Sequence, residues 1–161
     1  MDLLDNKIWI SGSGKTTSLT NVLETVSEHV KNNSKIFIGS DSFISQGKVC
    51  FVTAVCLLTK NFGGRYYFYR EKVPSFRYSA LAARITEEVR RSIEFAEVVM
   101  DKKEVSSDLI ELHLDVSPTG TNNGTSKMSD MLKGYVQGYG FVCKLKPNAW
   151  ASQTVADKHS K

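Results

Sequence analysis

Two apolar runs of this chain each end on an acid. Lys35-Ile-Phe-Ile-Gly-Ser-Asp-Ser42 carries Asp41, and Leu109-Ile-Glu-Leu-His-Leu-Asp-Val116 carries Asp115. Carboxylates seldom keep such company without a partner or a cation. If the two runs are neighbouring strands, the acids converge and repel each other. That arrangement is stable when a divalent ion lies between them or when one of them holds a proton. The pattern is therefore read as a metal site.

The elements that must position these acids follow from hydrophobic spacing. Residues 35–42 form a first strand, and Ser45-Gln-Gly47 turns it into a second, Val49 to Thr59. Asn61-Phe-Gly-Gly64 then leads to a third, Arg65 to Arg70, which Pro74 ends. Short glycine-containing turns make these three an antiparallel meander. From about Tyr78 to Val99 the period becomes helical, with Leu81, Ile85, Val89, Ile93 and Ala96 on one stripe. In the strand that carries Asp115, Ile110, Leu112, Leu114 and Val116 point one way, and Glu111, His113 and Asp115 the other. Ser117 to Gly124 reads as a polar, substrate-facing loop. Met128 to Tyr139 reads as a helix and Phe141 to Lys146 as a last strand. A terminal helix capped by Asn148 carries Asp157 and His159.

Ahead of the meander, Leu19, Val22, Leu23, Val26 and Val30 mark an added helix with Thr17 or Ser18 as its cap. The preceding Ser11-Gly-Ser-Gly-Lys-Thr-Thr17 looks like the end of a nucleotide-binding P-loop, which would make Lys15 a phosphate ligand. Trp9 stands where such a loop needs its first glycine. A lead-in to the helix is the preferred reading.

Composition sets outer bounds. With 161 residues, 41% of them hydrophobic and 24% charged, the chain suits one globular domain over 1–161, with 1–34 as lead-in and extra helix. No apolar run reaches the ~20 residues of a membrane span, and the first residues lack the pattern of a secretory signal. A cytoplasmic location and no membrane partner are expected. Cys50 and Cys56 share one strand face and Cys143 lies in another apolar run, so reduced core thiols are expected. Net charge is +4, with Lys127, Lys133, Lys144, Lys146, Lys158 and Lys161 set against Asp130 and Asp157 near the end. This basic stretch is either a solvated face or a phosphate-binding track.

In its element order the chain resembles the ribonuclease H-like superfamily. More closely it is similar to the YkuK-type branch of bacterial and phage proteins, through Ile38-Gly-Ser-Asp-Ser42, His113-Leu-Asp115, Lys146-Pro-Asn-Ala149 and the ending Ala156-Asp-Lys-His-Ser-Lys161. The resemblance implies a mixed α/β fold: a five-stranded sheet of order 3-2-1-4-5, its first three strands antiparallel, flanked by helices. It also implies that Asp41, Asp115 and Asp157 are metal ligands. The superfamily's helix glutamate has no counterpart near Tyr78, and the candidates Glu87 and Glu88 come about two turns later. Glu88 borders the buried stripe, whereas Glu87 falls with Arg84 and Arg91 on the wet side, so Glu88 is preferred.

What the resemblance implies chemically is a nuclease using two ions, Mg²⁺ or Mn²⁺, to hydrolyse phosphodiester bonds in RNA, DNA or a hybrid of the two. Asp41 would bridge the ions, Asp115 and Asp157 would each hold one, and Glu88 would hold a metal or orient water. His113 and His159 are candidates for proton transfer or substrate contact. Trp9, Trp150 and the third-strand tyrosines could stack on bases or pack in the core. The alternative function is a binding module, gripping nucleic acid on the same fold with an incomplete acid set.

Overall fold

The computed structural model describes residues 4–59, 63–118 and 126–161. Its order is β1 (Trp9–Ser11), β2 (Thr16–Thr17), α1 (Leu19–Val30), β3 (Ile36–Ser45), β4 (Lys48–Thr59), β5 (Gly63–Pro74), α2 (Leu81–Lys103), β6 (Ile110–His113), α3 (Ser129–Gly138) and β7 (Val142–Lys144). A π-helical turn, Ala151–Ala156, then runs into α4 (Asp157–Ser160).

The strands form one sheet of order β2-β1-β5-β4-β3-β6-β7. Its last five members keep the expected order, with β3, β4 and β5 antiparallel and β6 and β7 parallel to their neighbours. The sheet is two strands wider than expected. Ser11 to Thr17 folds back as a hairpin, with the Ser11 amide donating to the Lys15 carbonyl at 2.8 Å and Gly14 at φ 90°. β1 then adds to the free edge of β5. No helix starts at Lys15, so the P-loop reading fails. Helix α1 begins only after Ser18, whose hydroxyl accepts from the Asn21 amide at 3.2 Å.

The β3–β4 turn is a two-residue type, with Gln46 at φ 52° and Gly47 at φ 77° between the paired Ser45 and Lys48. Positive φ at both positions matches the right-handed twist of the flanking strands. The expected turn at Asn61–Gly64 lies partly outside the described residues, and most of the Ser117–Gly124 loop does too.

Alternation along the strands separates two layers. On one face Ile36, Ile38, Val55, Leu57, Ile110, Leu112 and Leu114 meet the buried stripes of α1, α2 and α3. Trp9 closes this core against Tyr69 and Phe95, its ring centroid 4.9 Å from each. It is fully buried, which removes it from the base-stacking candidates. On the other face Cys50, Val52, Ala54 and Phe68 pack against Ala156 of the C-terminal segment. All three cysteines are free. Arg91, expected on the wet side of α2, is buried instead. It lies over the Phe51 ring at 4.4 Å and is held by Glu87 and Glu71, both at 2.9 Å. Among the described residues no helix is long and apolar enough to cross a membrane.

Candidate metal centre

The parallel pairing of β3 with β6 runs from Ile36 and Ile110 to Gly39 and His113, and stops there. Asp41 and Asp115 each follow the last pair by two residues, so register and alternation bring them level, on one face, where the strands part. Glu88 reaches the same fork from α2. It follows Ile85 on the buried side of the helix, and Ser42, pointing to that side of β3, donates its hydroxyl to Glu88 Oε2 at 2.6 Å. One carboxylate oxygen from each of Asp41, Glu88 and Asp115 lies within 4.8 Å of the others. Glu87 is turned away, spent on Arg90 and Arg91.

The environment of Asp41 and Glu88 makes ionisation costly. Burial, a hydrogen bond with Asp157 and the charge of Asp115 push the Asp41 carboxyl up to about 8. Burial and the charge of Asp41 hold Glu88 well above the usual carboxylate range. Asp157 moves the opposite way, held down by its hydrogen bond with Lys161. These opposite directions favour a proton on Asp41 over one on Asp157. Without a cation the cluster keeps itself together by holding protons.

The donor set fits hard divalent ions. All three ligand atoms are carboxylate oxygens, the type Mg²⁺ and Mn²⁺ prefer. Two oxygens on one Mg²⁺ stand at most about 4.2 Å apart, twice its bond length, so a spread of up to 4.8 Å needs only a small closure. Two further oxygens are near: the Asp157 carboxylate beside Asp41, and Ser160 Oγ at 3.4 Å from Asp41 Oδ2. Asp157 is outside the group of three that share the 4.8 Å limit.

Both histidines named from the sequence are engaged elsewhere. His113 Nε2 is 3.0 Å from Glu111 Oε1, and its Nδ1 accepts the Ala151 amide at 3.1 Å. That pattern fixes a neutral ring with its proton on Nε2, between Phe37 and Trp150. Burial also lowers the pKa of His113. His159 is stacked on Phe68 at 3.8 Å, with Nε2 2.8 Å from the Tyr66 hydroxyl. Both rings anchor the C-terminal segment to the sheet.

That segment turns helical at Trp150, two residues beyond Asn148, and makes no side-chain cap bond at its start, so the expected Asn148 cap is not formed. Its docking depends on Gly39. A Cβ there would come within 2.5 Å of the Ser152 nitrogen and 2.6 Å of the Ala151 carbonyl carbon, both backbone atoms. Gly39→Ala is accordingly expected to destabilise the protein by on the order of 3 kcal/mol, measured by urea unfolding. It should also speed amide exchange through residues 151–160. An unchanged midpoint would show that the segment is not held against β3.

Sequence reasoning placed Lys146 and Lys161 in a basic stretch but missed the acids they meet. Lys146 Nζ lies 3.0 Å from Asp115 Oδ1, and Lys161 Nζ lies 2.9 Å from Asp157 Oδ1. Both lysines lie inside short motifs read for their other residues, and excess charge alone does not say which acid a lysine meets. Ser42 was equally within reach, since alternation alone turns it towards α2.

A family model described as Ribonuclease H-like matches residues 17–161. No curated protein and no solved structure matches the chain.

Proposed function

Because the chain belongs to the ribonuclease H-like family, we propose that it is a phosphodiester hydrolase acting on RNA, DNA or their hybrid, with Asp41, Glu88, Asp115 and Asp157 holding Mg²⁺ or Mn²⁺. The observation that carries this reading is the meeting of Asp41, Glu88 and Asp115 from three separate elements at the fork between β3 and β6. Ions bound there would supply a water acidic enough to attack near neutral pH and a positive field for the leaving oxyanion.

The chain's own groups then have distinct tasks. Asp41, central in the cluster, gives up its proton when the cluster takes a cation. Ser42 orients Glu88 through its 2.6 Å hydrogen bond. Lys146 and Lys161 neutralise Asp115 and Asp157, and both are placed to turn towards an anionic substrate when those carboxylates change partner. His113 and His159 take no part in proton transfer in this scheme, because their ring nitrogens already position the C-terminal segment.

The test is cleavage of labelled RNA, DNA and hybrid substrates by the purified chain with Mg²⁺, Mn²⁺ or EDTA. Products that form with metal and vanish in EDTA are expected. Their absence from every substrate, with metal in excess, would overturn the reading. The two lysine–carboxylate pairs are the observation that favours the binding module, since cations of the chain already occupy acid oxygens there. Salt-sensitive binding without cleavage would decide for it.

A further inference from the structure

Asp41 lies at the edge of an uncovered part of its own sheet face. Antiparallel register sets rows across β3, β4 and β5 on that face: Gly39, Ala54 and Phe68; then Asp41, Val52 and Arg70; then Phe43, Cys50 and Lys72; then Ser45, Lys48 and Pro74. The C-terminal segment covers the first row and, of the second, Asp41 and Val52 but not Arg70, with Ser152 against Gly39, Ala156 among Val52, Ala54 and Phe68, and Ser160 at Asp41. Past Ser160 the face opens into a groove of about 790 Å³, lined in part by Phe43, Lys48, Cys50, Arg70, Lys72 and Lys161.

Every charged side chain that lines this groove is positive. Lys161 is paired with Asp157, but among the described residues Lys48, Arg70 and Lys72 have no carboxylate partner. All three are exposed. They take one position in each of three successive rows, about 7 Å apart along the strand direction. Phe43, in the middle row, is 42% exposed although it is a large apolar side chain. A row of unneutralised cations beside an exposed ring is the combination that holds single-stranded nucleic acid, phosphates on the cations and a base on the ring. A duplex keeps its bases stacked inside and would leave Phe43 without a partner.

We propose that this groove is the track for a single strand of RNA or DNA, its phosphates on Lys48, Arg70 and Lys72, one base against Phe43, and the strand leading past Lys161 to Asp41. Only the last step rests on the hydrolase reading.

Binding is measured in EDTA, where cleavage does not intervene. Fluorescence anisotropy compares labelled oligo-dT and oligo-U of about 12 nucleotides with duplexes of the same length, over a salt series. The single strands should bind at least about tenfold more tightly than the duplexes. Replacing Lys48, Arg70 and Lys72 together by Ala should weaken single-strand binding by more than about tenfold and reduce the slope of log K against log salt by about two. Phe43→Ala should cost about tenfold with the slope unchanged. Lys127→Ala with Lys133→Ala, in and just before α3, should stay within about twofold of wild type. Urea midpoints confirm that each variant folds. Equal or tighter duplex binding, or wild-type affinity in the triple variant, would overturn the track. So would a loss in the α3 pair as large as that in the triple variant. If the wild type binds single strands through this groove but cuts nothing, the hydrolase reading falls and the track stands. If it cuts while the triple variant binds as before, the track falls alone.

Discussion

Asp41→Asn, Asp115→Asn and Glu88→Gln are each expected to lower metal-dependent cleavage by on the order of 10³-fold while leaving the fold intact. Removing one anionic ligand forfeits several kcal/mol of transition-state stabilisation, and each 1.36 kcal/mol is tenfold in rate. Near neutral pH the wild type must take up protons on Asp41 and Glu88 to fold, and Asn and Gln are neutral without one, so Asp41→Asn and Glu88→Gln should unfold at higher urea in EDTA than the wild type does. Glu87→Gln should behave in the opposite way. It sacrifices a carboxylate that holds buried Arg91 and exposed Arg90, so stability falls and cleavage persists within about twofold. This contrast separates a site acid from a structural one better than activity alone. Loss of cleavage in Glu87→Gln with full activity in Glu88→Gln would show that the wrong helix acid has been assigned.

The parts of this arrangement that could be read in the sequence are those with a short period or a local signal. The β3–β4–β5 meander, the stripe of α2 and the alternation that turns Asp115 away from Ile110, Leu112 and Leu114 all follow from spacings of two or of three to four residues, whereas the β3–β6 register that brings it level with Asp41 does not. The same spacings support the preference for Glu88, which lies one residue from Val89 on the buried stripe, even though the Arg91 that helped to argue for it proved to be buried. What could not be read depends on partners distant in sequence. Trp9 looked available until β1 joined the edge of β5 and brought it against Tyr69 and Phe95. His113 and His159 looked like proton carriers because strand and helix periodicity assign a face and not a hydrogen-bond partner. The groove cations came from β4 and β5, where sequence drew attention to the later lysines, two of which are spent on Asp115 and Asp157.

The protons held by the cluster make stability depend on pH in a direction opposite to the usual carboxylate case. In the unfolded chain Asp41 and Glu88 lose their protons near their ordinary values of 3.8 and 4.5, whereas the folded protein keeps that of Asp41 to about pH 8 and that of Glu88 well above its ordinary value. Between these limits the folded state binds more protons than the unfolded one, so raising the pH weakens it, by up to about 1.4 kcal/mol per unit for each such group. His113 and His159 act the other way. Burial lowers both below 6.5, so the folded state holds fewer of their protons and gains stability as pH rises through 6.5, a gain that fades about one unit above it. Above about pH 6.5 this opposing contribution shrinks while Asp41 still holds its proton, so the acid signature dominates up to about pH 8. In EDTA the urea midpoint should fall across that window, and Asp41→Asn should flatten the fall. Mn²⁺ takes the place of the protons, so it should bind more tightly and raise the melting temperature more at pH 8 than at pH 6.5, with proton release visible by calorimetry in buffers of different ionisation heat. A midpoint that rises through this window in EDTA, or Mn²⁺ stabilisation that is the same at both pH values, would mean that the protons of Asp41 and Glu88 do not compete with a cation for this site.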